Sequence, residues 1–269
     1  MGLATLRHGF AEGTLVAGFA ISLAAVTSWF LVGTFAPIAI FTVMTGIPVL
    51  LLATTLRYTG SLAASITVAG LLGAIVTIGF HLMVEDPLAW WRERLHGILA
   101  QQPQDTTSAI NADITEKLDA LIDILVPVMM ALPAGMVFGA LVILFLARWW
   151  HAVLDNPGGF GHEFHTLRLN RWLAIATIMI ACMAIFIEGM TGINSEFLQI
   201  LIILYLFQGL AIIHGIVGIR GMSTGWLLGS YILLILVPAI VTIFLVIIGL
   251  LDAWFDFRTR VARANSRTL

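Results

Sequence analysis

The chain has 269 residues, of which 60% are hydrophobic and 10% charged, against about 25% charged in soluble domains. That balance excludes an ordinary water-soluble fold. A formal charge of −2 with no basic face excludes nucleic acid as a partner.

Seven apolar stretches, at 13–34, 36–56, 60–82, 121–147, 171–190, 195–218 and 223–251, are each long enough to cross a bilayer. Lipid offers the backbone no hydrogen bonds, so tracts of this length must be helical. They predict an all-α, polytopic transmembrane bundle of about seven spanning helices, with an interfacial amphipathic helical segment. One integral membrane domain then covers 1–269: a three-helix part at 13–82, a polar insertion at 83–120, a four-helix part at 121–251 and a basic tail at 252–269.

The opening MGLATLRHGFAEG does not read as a cleavable signal, because the apolar run after it is too long for one. It is expected to be retained. The first two spans are separated only by Gly33-Thr34-Phe35-Ala36-Pro37, and Pro37 suits the first turn of a new helix. Gly46 and Pro48 predict a kink in the second span. Gly70, Gly73 and Gly79 give the third a narrow waist, which helix packing in lipid favours.

In the polar insertion, Leu88, Trp91, Leu95 and Ile98 recur at helical spacing, with Arg92, Glu93, Arg94 and His96 on other faces. That is the pattern of a helix lying in the membrane interface. After Gln101-Gln102-Pro103-Gln104, a second periodic run carries Ile110, Ile114, Leu118, Leu121 and Leu125. It is expected to rise into the fourth span and bend near Pro127 and Pro133. Seven of the eight tryptophans, Trp90, Trp91, Trp149, Trp150, Trp172, Trp226 and Trp254, fall at tract ends, as an aromatic belt requires.

Seven crossings place the two ends of the chain on opposite faces. An N-terminus inside collects Arg7, Arg57, Arg148, Arg168, Arg171 and Arg220, while the C-terminal arginines oppose that choice. A missed crossing would resolve the conflict.

No Walker loop, dinucleotide fingerprint, GxSxG elbow or HExxH is present, and nothing supplies an enzyme's paired acids or nucleophile. The chain is therefore expected not to be an enzyme. His151, His162, Glu163 and His165 come nearest to a metal cluster, but Phe160, Phe164, Leu167 and Leu169 make the same stretch an amphipathic interfacial segment. No metal or cofactor is expected. The single cysteine, Cys182, reads as a small core hydrophobe.

Polar side chains at membrane depth are costly unless satisfied or used. Gln208, mid-span with Tyr205 one turn before it, is the first ligand-binding candidate, although a hydrogen bond to a neighbouring helix is the plainer reading. His214 is a second candidate. Glu188, near a tract end, is the third; it snorkels to water by default, or joins Asn194 and Glu196 in a polar cap.

Several motifs together, Arg148-Trp149-Trp150, Gly159-Phe160-Gly161-His162-Glu163-Phe164, Leu167-Arg168-Leu169, Leu204-Tyr205-Leu206-Phe207-Gln208-Gly209 and Gly249 through Arg258, resemble the YybS-like family of bacterial inner-membrane proteins. The likeness covers most of the chain and is most specific in its C-terminal half. It implies a multi-pass protein of the bacterial inner (plasma) membrane. That family is similar in helix layout to the substrate-binding subunits of energy-coupling-factor transporters, which capture a small molecule and dock on a membrane partner through an Ala-x-x-x-Ala face. Here Ala20 and Ala24 fit that spacing, with Ala17 and Ala25 nearby.

Two functions follow as expectations. One is a capture subunit whose ligand sits among spans three, five and six beneath the 83–120 segment. The other is a scaffold that positions envelope proteins through small-residue helix faces.

Overall fold

The computed structural model describes residues 1–99, 108–187 and 192–265, and among them all regular structure is helical. In chain order the helices are α1 (Gly2–His8), α2 (Phe10–Val32), α3 (Ala36–Phe41), α4 (Ile47–Thr59), α5 (Leu62–Met83), α6 (Pro87–Leu99) and α7 (Ser108–Met130). There follow α8 (Leu132–Asp155), α9 (Gly159–His165), α10 (Arg171–Phe186), α11 (Ile193–Ile219), α12 (Gly225–Leu236), α13 (Pro238–Phe255) and α14 (Phe257–Asn265). Among the described residues six helices are long and apolar enough to cross a membrane: α2, α3 continued into α4, α5, α8, α11 and α13. Two apolar helices, α10 and α12, are shorter. This is a multi-pass membrane protein.

Two apolar tracts are each broken into separate helices. The fourth tract opens as the end of α7 and breaks at Ala131 (φ −81°, ψ −1°), with Pro133 in the first turn of α8. The last tract, expected as one span, breaks at Val237 (φ −133°, ψ 60°) before Pro238. The proline ring disfavours the helical region for the residue before it, and Val237 has left that region, so the helix breaks there. In the second span the expected kink takes the form of a π-turn, Thr42–Gly46, immediately before Pro48. The extra residue in that turn absorbs the amide that proline lacks.

The break at Pro238 changes the topology. Arg168, between α9 and α10, pairs with Asp256 at 3.1 Å and donates to the Asp252 carbonyl at the end of α13. Arg258 in α14 donates to the carbonyls of His165 and Leu167, both at 2.8 Å. Arg148 of α8 grips Glu163 of α9, Arg7 pairs with Asp155 at 3.3 Å, and Arg57 donates to the Leu6 carbonyl. These bonds join α1, α9 and α14 on one face, so the chain's first and last helices are not on opposite sides as seven crossings required. The missing reversal is the α12–α13 turn.

Nine arginines (7, 57, 148, 168, 171, 220, 258, 260 and 263) then gather on this face, against Arg92, Arg94 and Lys117 on the other. By the positive-inside rule the arginine-rich face is predicted to be cytoplasmic. Single cysteines in a Cys182→Ser background check this. An impermeant maleimide applied to intact cells should label Glu93→Cys and spare both His8→Cys and Ala262→Cys. The reverse labelling overturns the orientation, and unlike behaviour of the last two overturns the shared face.

At the centre stands α11, the most deeply buried of the six spans. It crosses α13 where Gly209 lies on the Leu245 backbone and Gly249 on that of Tyr205. On its other side Gly70 and Gly73 of α5 meet Leu204 and Ile200, while Gly79 touches nothing. Cys182, expected in the core, is exposed on α10, because the buried side of that helix carries Ala174, Thr177 and Ala184.

On the far face the polar insertion folds as a helical hairpin. Trp91 and Leu95 of α6 pack on Ile122, Val126 and Met130 of α7. Arg92–Asp123 (2.6 Å) and His96–Asp119 (3.4 Å) close its rim, while Leu88 and Ile98 stay exposed.

Candidate functional site

The sequence-predicted site residues do not converge. Gln208 is wholly buried at the α11–α13 crossing, where its Nε2 donates to the Gly249 carbonyl at 2.8 Å and its Oε1 accepts from the Leu169 amide at 2.9 Å. Both ends of the amide are engaged, so it serves as a strut between backbones. Tyr205 is also fully buried. Neither side chain lines the cavity described below, and the α6–α7 hairpin lies on the opposite face from it.

Glu188 lies outside the described residues. Glu196, grouped with it in the sequence reading, is buried and accepts from His81 of α5 at 2.7 Å, joining two helix ends at the far face. Ala20 is exposed on α2, and Ala24, one turn further on, is half-buried. Only His214 stands at a cavity.

That cavity is assembled from α8, α9, α11 and α12, near the arginine-rich face. Gly158 takes φ 86° and starts α9, whose Phe160 and Phe164 lie one turn apart and therefore on one side. Glu163 points the other way, where Arg148 Nε reaches it at 2.9 Å and a second guanidinium nitrogen completes a two-pronged clamp. A planar guanidinium fixes direction as well as distance. With α9 so held, Phe160 stacks on Phe164 (5.7 Å between centroids), and Phe145 meets Phe164 and Phe207 edge-on at 5.7 and 5.0 Å. Leu206, Leu210 and His214 of α11 form the floor, and Tyr231 and Leu234 of α12 the opposite wall.

The cavity has a volume of about 600 Å³, and no arginine, lysine or carboxylate lines it. Its side chains with polar atoms are His165, His214, Tyr231 and Trp149. A carbonyl can only accept, so the 2.8 Å contact of His214 Nδ1 with the Leu210 carbonyl places a proton on Nδ1. The other ring nitrogen, Nε2, takes a long 3.4 Å hydrogen bond from the Tyr231 hydroxyl. Burial, then the neighbouring His214 and His162, pull the His165 imidazole below its ordinary pKa. It is neutral at physiological pH.

His165 also borders a polar cleft of about 570 Å³ that opens outward between His162, Arg168, Asp256 and Arg258. Burial pushes the Asp256 carboxyl up, but Thr259 hydrogen bonds and the charges of Arg168 and Arg258 outweigh it and hold the group below the usual range. Among the described residues no set of three or more His, Cys, Asp or Glu side chains is placed to hold a metal ion.

The aromatic wall was the part that sequence reasoning missed. The Phe160–Phe164 spacing gives a one-sided helix but not the partner that side meets; on paper it is as compatible with lipid as with Phe145 and Phe207. Compared with protein-family models, with curated proteins and with solved structures, the chain finds no match in any of the three.

Proposed function

We propose that this protein captures a lipophilic small molecule in the cavity between α8, α9, α11 and α12, as a membrane subunit without an energy source of its own. The observation that carries the reading is the cavity itself: about 600 Å³, walled by aromatic rings, with its few polar groups at one end. Ligand sites commonly have that size and that ratio of apolar wall to convergent polar groups. The lining residues include no carboxylate, serine, threonine, cysteine or lysine, which favours binding over reaction. The reading keeps the capture class that the family resemblance implies and moves the ligand from the Gln208 region to His214.

Thermal shift of the purified protein in nanodiscs, against a panel of hydrophobic compounds, tests it. A true ligand at about 100 times its Kd stabilises the fold by about 2.7 kcal/mol. Leu234→Trp, which fills the cavity from the α12 side, should abolish that shift while the apo protein still melts cooperatively. Equal responses in both proteins would place binding elsewhere.

A second reading, a scaffold for another membrane protein, draws on α2. That helix touches α1, α3 and α4 and turns most of its surface outward. Under it, Ala20→Cys should crosslink one defined partner in native membranes, and a cavity-filling substitution should leave function intact.

A further inference from the structure

Resting on the capture reading, we infer that the cavity takes a neutral phenol: a hydrophobic molecule whose ring lies among the aromatic walls and whose hydroxyl donates to His214 Nε2.

Three observations carry this. The first is charge. Of the cations at this face, Arg148 is clamped on Glu163, Arg168 on Asp256 and Arg258 on Asp252, and none lines the cavity. His165, at the cavity's mouth, is kept neutral by burial and by its histidine neighbours. A carboxylate or phosphate head would enter desolvated and unpaired, which costs far more than it gains.

The second observation is hydrogen-bond sign. Because His214 Nδ1 donates its proton to the Leu210 carbonyl, Nε2 is the ring nitrogen left to accept, and it faces the cavity. Its present partner, the Tyr231 hydroxyl, sits at 3.4 Å, a length at which the bond is weak and easily exchanged for a better donor. A ligand hydroxyl is such a donor, and the Tyr231 oxygen is then free to share in the network. An ether or hydrocarbon in the same place leaves Nε2 with nothing stronger than it has now.

The third is shape. Phe164 and Tyr231 both stand edge-on to the His214 ring, at 5.5 and 5.7 Å, and Phe145 is edge-on to Phe164 and Phe207. Aromatic rings prefer edge-to-face or offset neighbours, so a guest ring gains specific contacts that an aliphatic chain of equal area does not.

Binding of 4-octylphenol, octylbenzene and octanoate to the protein in nanodiscs, read by calorimetry after subtracting partitioning into empty nanodiscs, tests the inference. The phenol should bind about tenfold tighter than octylbenzene, the worth of one satisfied buried hydrogen bond, and octanoate should bind weakest. His214→Leu should bring the phenol down to the level of octylbenzene. Tyr231→Phe, which removes only the competing donor, should preserve the preference.

Equal affinity for phenol and octylbenzene in the wild-type protein overturns the inference and leaves the capture reading standing. So does tighter binding of octanoate. If none of the three binds, the phenol assignment falls, and the capture reading then rests on the cavity-filling variant and the wider panel. Loss of the preference in Tyr231→Phe, with His214 intact, also overturns the assignment of His214 as the acceptor.

Discussion

Gly209→Ala should cost this protein several kcal/mol and lower its melting temperature in detergent by many degrees. A β-carbon at that position would lie 2.2 Å from the Leu245 carbonyl oxygen and 2.7 Å from its carbon, and both are backbone atoms that no rotamer change can move. The helices would have to part by more than an ångström. The same crossing is tight from the other side, where a β-carbon on Gly249 would stand 2.6 Å from the Tyr205 carbonyl oxygen.

Separation there does more than open a gap. It stretches the Gln208–Gly249 hydrogen bond, 2.8 Å long, and leaves a fully buried amide short of a partner. Overpacking of this kind costs about 1–3 kcal/mol, and an unsatisfied buried polar group about 1–3 kcal/mol more. Gly139→Ala on α8, where an added carbon meets nothing within 4 Å, is the control; there alanine should be neutral or slightly stabilising. Equal melting temperatures for the two variants would refute the close crossing.

The second large effect should come from Arg258→Met. Asp252 has no exposed surface; it accepts from Arg258 at 2.8 Å and from the Phe257 amide at 3.0 Å. Removing the guanidinium strands a carboxylate, and breaking a buried pair from one side costs about 3–5 kcal/mol. It also removes the donor from the carbonyls of His165 and Leu167, which fixes the link between α9 and α10 beside the cavity.

The double variant Asp252→Asn with Arg258→Met should recover part of the loss, since no charge is then left without a partner. Arg260→Met, on an exposed neighbour, should stay within about 0.5 kcal/mol of wild type. Melting curves of the four proteins give the comparison. A double variant no better than Arg258→Met would show that the backbone contacts, and not the ion pair, dominate.

Much of the fold was legible because hydropathy reports the solvent of a helix directly. The spans at 36–56, 60–82 and 195–218 match α3–α4, α5 and α11 within a few residues. Hydropathy does not report direction, however. The tract 223–251 is uniformly apolar, so the reversal at Pro238 left no trace in a window average, and the C-terminal arginines were its only sign. Gln208 was readable as interhelical glue from its depth alone. The His81–Glu196 contact, between residues 115 apart in the chain, was not. Nor was the cavity: Phe145, Phe160, Phe164 and Phe207 belong to three helices, and nothing in their local pattern distinguishes a ring that faces a ring from one that faces acyl chains.

The loose attachment of α2 sets it apart from the other long spans. Its 23 residues would stand about 34 Å tall, longer than a hydrocarbon core of about 30 Å. Glycines at positive φ flank it, Gly9 at 108° and Gly33 at 72°, so the chain turns sharply at each end. Such a rod leans until its length fits, while the interlocked bundle behind it keeps its pose. In thin bilayers α2 should recline and in thick ones stand upright, making the first crossing of this protein a gauge of membrane thickness.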